Sequence, residues 1–147
     1  MSRESRRLAG ILLIIFPTVI YGGVSLLNMF VGDAEAYQAN PLRQDLWRAG
    51  HAHAGVLLVL SLVVLRYVDE AALSARWKDL VRHLVPLSAV LLPIAFFLSV
   101  LSADATEPNA IIYLAYLGAI TLAVSLLALG IGLVRAAPAR PDSAGGD

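Results

Sequence analysis

The chain of 147 residues is 59% hydrophobic and only 15% charged, with a mean hydropathy of +0.75; this excludes an ordinary soluble domain and reads as an integral membrane protein. Eleven basic residues cancel eleven acidic ones, so the charge points neither to nucleic acid nor to an acidic substrate. Cysteine is absent, which excludes disulfides, thiolate metal sites and iron–sulfur clusters and leaves nitrogen or oxygen to hold any metal.

Four apolar runs follow, at about residues 8–31, 51–68, 84–101 and 110–134. Each approaches the ~20 residues with which a helix crosses a hydrocarbon layer of ~30 Å, whereas spanning strands are about half as long and alternate. The expected fold is all-α: an integral membrane four-helix bundle over residues 1–135, then a disordered tail at 136–147 rich in Ala, Pro and Gly.

The first run is too long for a signal peptide and ends in Asn28-Met-Phe-Val rather than a small-x-small cleavage site, so it is expected to stay as a helix. Pro17 removes the hydrogen bond to Leu13, and Gly22-Gly23 loosens the backbone further; Pro93 in the third run does the same to Ala89. Such prolines are ordinary in membrane helices; the alternative is that they open a cavity in the outer half. In the fourth run Ala115, Ala119 and Ala123, with Gly118 beside them, allow a close backbone approach within the protomer or at an oligomer seam. Thr106 is its expected cap, with Pro108 in an early position.

Lys and Arg set the orientation. Arg3, Arg6 and Arg7 precede the first run, Arg66, Arg76, Lys78 and Arg82 surround the second link, and Arg135 and Arg140 follow the last run. The first link has only Arg43 and Arg48, and the third has none. The positive-inside rule puts both termini in the cytoplasm of a bacterial-type plasma membrane, with Trp47 at the outer interface and Tyr67 and Trp77 at the inner one.

The functional centre is read at Trp47-Arg-Ala-Gly-His51-Ala-His53-Ala-Gly55, at the head of the second run. An ionisable ring there is costly unless something binds it. Asn28, Ser99, Ser102, Asn109, Tyr113 and Tyr116 are expected at the same outer level. Residues two apart on a helix point ~200° apart, so His51 and His53 cannot both face one ligand from a helix. His51 shares its face with Gly55 and Leu58, which leaves room for a flat group and slightly favours it; His53 shares a face with Ala49 and Leu57. Interfacial roles remain for either histidine, and His83 in the basic link reads as a solvated residue.

Arg6-Arg7-Leu-Ala-Gly10, the Gly22-Gly23 region, Trp47 with its following histidines and Phe96-Phe97-Leu98 give the chain a pattern over most of its length. It resembles the small four-helix membrane proteins that include styrene oxide isomerase and, more distantly, hydroxylaminobenzene mutase. The resemblance implies a haem b cofactor, an axial histidine at the head of the second helix, and a homotrimer with the haem between protomers. Counting from Trp47 the ligand is His51; matching Ala52-His53-Ala54-Gly55 selects His53. Gly55, Leu58 and Phe97 would line the group, with Leu57, Val90 and Phe96 as further apolar walls. The sequence departs from the isomerase where Leu57-Leu58-Val59-Leu60 replaces a stretch with an Asn, and where Phe97 stands for a Tyr. Tyr113, Tyr116 and Asn28 are the remaining candidates for handling a substrate oxygen.

Four functions follow. The first is a haem-dependent, redox-neutral isomerase of a small lipophilic, epoxide-like substrate, with ferric iron as Lewis acid. The second is a non-catalytic haem or gas-binding protein. The third is copper handling by His51 and His53, which requires the helix to start after His51. The fourth, a transporter or accessory subunit, has against it that no acidic residue lies within a span.

Overall fold

The structure, a computed structural model, describes residues 1–32 and 34–136. Its helices are α1 (Arg3–Val31), the short α2 (Glu35–Gln38), α3 (Pro41–Tyr67), α4 (Ala75–Ser99) and α5 (Tyr113–Arg135), the last entered through a 3-10 turn at Ala110–Ile112. No strand occurs among the described residues. Four of the helices are long and apolar enough to cross a membrane, and they correspond to the four apolar runs. The expected disordered tail lies, from residue 137 on, outside the described residues.

Three helices start earlier than their apolar runs. Ser2 caps α1 by accepting from the Ser5 N–H at 3.1 Å, Asn40 caps α3 by accepting from Arg43 N–H at 3.1 Å, and Ser74 caps α4. Pro41 occupies the first turn of α3, where a missing N–H costs nothing. α3 therefore begins at Pro41 and not at residue 51, because its first turns are amphipathic and a run of apolar residues marks only the deeper part of a helix. The expected cap at Thr106 is also corrected. Asn109 caps instead, accepting from Ile111 N–H at 2.9 Å, since Pro108 disfavours helical geometry in the residue before it.

α3 and α4 form the central pair, with α1 packed on α3 and α5 packed on α4. One core cluster joins Leu12 of α1 to Leu57, Leu58 and Leu65 of α3 and to Ala89 and Leu92 of α4. A second joins Val64, Val68 and Ala71 to Val81, Val85 and Leu129. Outside these clusters the surface is apolar, from Ile14 at 79% exposed to Val134 at 88%. Water does not tolerate so large an apolar surface on a monomer; lipid does. Only 6% of the apolar span of α1 is buried against 44% of that of α4, so α1 is the peripheral helix.

Small residues set the helix spacing. A Cβ on Gly118 would lie 2.6 Å from Leu92 Cδ1 and 3.2 Å from Leu91 Cβ, so Gly118 is where α5 meets α4. Ala119 and Ala123 are exposed on the other side, which assigns the protomer's own packing to the glycine and leaves the alanines to lipid or a second copy. Gly118→Val is expected to cost about 1–3 kcal/mol through overpacking, and Ala123→Val close to nothing, read from melting temperatures in detergent.

At the end carrying the N-terminus, the buried Arg82 of α4 ties three segments together. Its Nε donates to Ser5 Oγ, its Nη1 to Glu4 Oε2 and its Nη2 to Asp69 Oδ1, each at 3.0 Å. Ser2 N–H donates to Asp69 Oδ2 at 2.6 Å. Burial alone would raise the Asp69 carboxyl, but hydrogen bonds from Ser2, Arg82 and Ser5 outweigh it and hold the group below the ordinary aspartate value. A depressed folded value means that this stabilisation is complete above the unfolded aspartate value of about 3.9 and is lost as pH falls through the lower folded one. The melting temperature is therefore expected to fall as pH drops below about 4, and Asp69→Asn is expected to remove part of that fall.

Candidate functional site

Both histidines lie inside α3, ten and twelve residues after its first residue, and so deeper than the helix mouth read from the sequence. His51 is level with Gly22 and Gly23 of α1. A Cβ at Gly23 would come within 3.0 Å of His51 Nε2 and 3.1 Å of its Cε1, and one at Gly22 within 3.8 Å of its Nδ1. Gly22-Gly23 thus receives the imidazole where α1 crosses α3. Asn28, five residues further along α1, lies about 7.5 Å nearer the α2 end by helical rise. Asn28 therefore does not share the level of the histidines.

The rest of the His51 face is also filled. A Cβ on Gly55 would meet Val19 of α1 at 3.7 Å, and Leu58 is buried in the core with Leu12. The space read as room for a flat group beside Gly55 is therefore taken by α1 within this protomer.

His53 faces the other way, as two residues of one helix must. It is exposed, with its ring 5.1 Å from that of Phe96 on α4. Its Nδ1 lies 2.7 Å from the Ala49 carbonyl. A carbonyl only accepts, so Nδ1 is the donor of this bond, and Nε2 is the ring nitrogen directed away from the backbone. His83 makes the same bond to Asp79 O at 2.9 Å, but at the polar end of the molecule and within 3.4 Å of the Asp79 carboxylate. For His53 the surroundings are apolar, and its acceptor nitrogen has no partner among the described residues.

Phe97 belongs to a different setting. It packs in the α3–α4 seam, where a Cβ on Gly50 would lie 3.0 Å from its Cε2, and its ring is 6.1 Å from Trp47. Trp47 Nε1 donates to the Phe97 carbonyl at 3.1 Å, the Arg43 guanidinium lies 4.3 Å from the Trp47 ring centre, and the Tyr37 ring lies 6.0 Å from it at a tilt of 33°. Arg43 also donates to Leu101 O, and Asn40 donates to Ala103 O and Ala105 O. This network closes the α2 end over the helices.

Tyr113 and Tyr116 stack on each other at 6.1 Å and are 68% and 66% exposed on α5, whose main packing partner is α4. Asn28 is exposed on α1. None of the three is brought together with His51 or His53. A 240 Å³ cavity at the α2 end is lined by Leu26, Leu27, Phe30, Tyr37 and Arg48, above His51 on the α1 side of α3. The only trio of histidine and carboxylates within reach of a shared cation among the described residues is Glu4, Asp79 and His83. It is exposed at the opposite end, and Arg82 already neutralises two of its members.

The copper reading required α3 to begin after His51. It begins at Pro41, so the two rings diverge to α1 and to Phe96 and do not converge on one ion. The sequence undervalued Phe96 as the neighbour of His53 and Gly22-Gly23 as the seat of His51; the glycine pair was a usable signal for the second, because it lies at matching depth on the adjacent helix. No protein-family model, curated protein or solved structure matches this chain.

Proposed function

We propose that the chain is a haem b-binding membrane protein of the kind its sequence resembles, with His53 as the axial ligand. The observation that carries this is the His53 imidazole itself: its Nδ1–H is held by the Ala49 carbonyl at 2.7 Å, and its Nε2 is left free beside Phe96 at a lipid-facing surface. Metal-bound histidines are commonly fixed in this way by their second nitrogen. In hydrocarbon an acceptor without a partner costs free energy that a ligand recovers. Phe96 offers an apolar wall for a flat macrocycle, and a second copy of the chain would cover the opposite face, in keeping with the trimer implied by the resemblance.

When bound, ferric haem supplies a Lewis acid for the oxygen of a small lipophilic substrate, the redox-neutral isomerisation that the resemblance implies. The protein's share is to fix the imidazole, exclude water and admit the substrate from the bilayer. A second reading, binding of haem or a gas without catalysis, is favoured by one observation. Leu57 and Leu58 are buried in the core and Phe97 in the α3–α4 seam, so no polar side chain from those positions reaches the His53 surface. Both readings place the protein in a bacterial-type plasma membrane with its termini cytoplasmic.

Pyridine haemochrome analysis of the protein purified from membranes, with copper measured alongside, tests the proposal. Stoichiometric protoporphyrin iron is the expected result; copper without porphyrin contradicts it. Turnover of an aryl epoxide to its aldehyde by the haem-loaded protein separates the first reading from the second.

A further inference from the structure

At the end carrying the N-terminus, the carboxylates are already engaged. Glu4, Asp69 and Asp79 surround Arg82, and Glu70 pairs with Arg66. Arg3, Arg6, Arg7, Arg76 and Arg135 at the same end form no ion pair among the described residues, which therefore carry an excess of positive charge at this end. Arg3 and Arg7, one turn apart on α1, line a 430 Å³ cavity with Glu4, whose own charge is turned to Arg82 at 3.0 Å.

What lies further along the same face of α1 decides the ligand. Gly10 has nothing within 4 Å of where a Cβ would stand, so the helix surface is open and low one turn beyond Arg7. Ile11 and Ile14 follow, 41% and 79% exposed. Two guanidiniums at the helix end, a gap and then exposed apolar side chains match a phosphate joined to an acyl chain, because the fork of an arginine suits phosphate oxygens and the rest of the face is apolar.

We propose that this face of α1 binds an anionic phospholipid, its phosphodiester headgroup held by Arg3 and Arg7 and one chain lying over Gly10 along Ile11 and Ile14. The site is separate from His53 and does not depend on haem. Juxtamembrane cations favour anionic headgroups, and each contributes about fivefold in affinity, screened by salt.

The test is lipid binding to the full-length protein in a neutral detergent, by native mass spectrometry, with phosphatidylglycerol, phosphatidylcholine and inorganic phosphate as probes. Phosphatidylglycerol is expected to bind at least about tenfold more tightly than phosphatidylcholine and to lose that preference in the Arg3→Gln/Arg7→Gln protein, while Arg48→Gln at the other end keeps it. Gly10→Leu puts a side chain on this open face without touching charge or a neighbouring helix, so it is expected to weaken lipid binding severalfold in a protein that still folds. Equal binding of the two lipids overturns the proposal. So does full competition by inorganic phosphate, which would make this a free-phosphate site, and so does parental lipid binding by Gly10→Leu together with the double variant.

Discussion

His53→Gly is expected to purify with less than about a tenth of the parent's haem, a loss of the kind produced by removing an axial ligand, and to regain its Soret band when imidazole is added. Rescue is expected because deleting the side chain opens a hole on an exposed surface beside Phe96, where a free imidazole can enter from lipid. His51→Ala is expected to keep the band. Its ring is enclosed by Gly22 and Gly23 of α1, so its removal loosens the α1–α3 contact and costs stability, about 1–3 kcal/mol for an underpacked interior site. Haem content and melting temperature, measured on both variants, separate a ligand from a packing residue.

The second large effect is at Arg82. Its side chain is 8% exposed, against 19% for Asp69, 51% for Glu4 and 58% for Asp79. The two exposed carboxylates are screened by water and contribute little. Removing the guanidinium leaves Asp69 poorly solvated and Ser5 without its donor, so Arg82→Ala is expected to cost about 2–4 kcal/mol, near the lower part of the range for breaking a buried pair. That corresponds to a fall of roughly 5–12 °C in melting temperature. Arg82→Lys is expected to restore only part of it, since the three donors of an ammonium sit on one nitrogen, whereas Nε, Nη1 and Nη2 each meet a different acceptor here. The released element is the first turn of α1, which limited proteolysis should then cleave.

The four spans are legible in the sequence because the hydrocarbon layer imposes both their length and their composition. Their first turns are not, since Leu42, Leu46 and Gly50 alternate with Arg43, Gln44 and Asp45 and break the apolar run; Asn40-Pro41 was the signal, a cap followed by a first-turn proline. That His51 and His53 diverge follows from helical pitch alone. Which of them meets a neighbour does not, because it depends on the side from which α1 approaches, and Gly55 reads as open space in the sequence although Val19 lies over it. Arg82 reads in sequence as one more topogenic charge. Its pairing with Glu4, 78 residues away, is a tertiary fact that no local pattern encodes.

The most direct measurement is the resonance Raman spectrum of the dithionite-reduced protein in the low-frequency region, where a five-coordinate ferrous haem shows its iron–imidazole stretch. The account predicts that mode in the parent and in His51→Ala, its absence in His53→Gly, and its return with added imidazole. A mode that vanishes with His51 and survives the loss of His53, or a parent protein that carries no porphyrin at all, would contradict it.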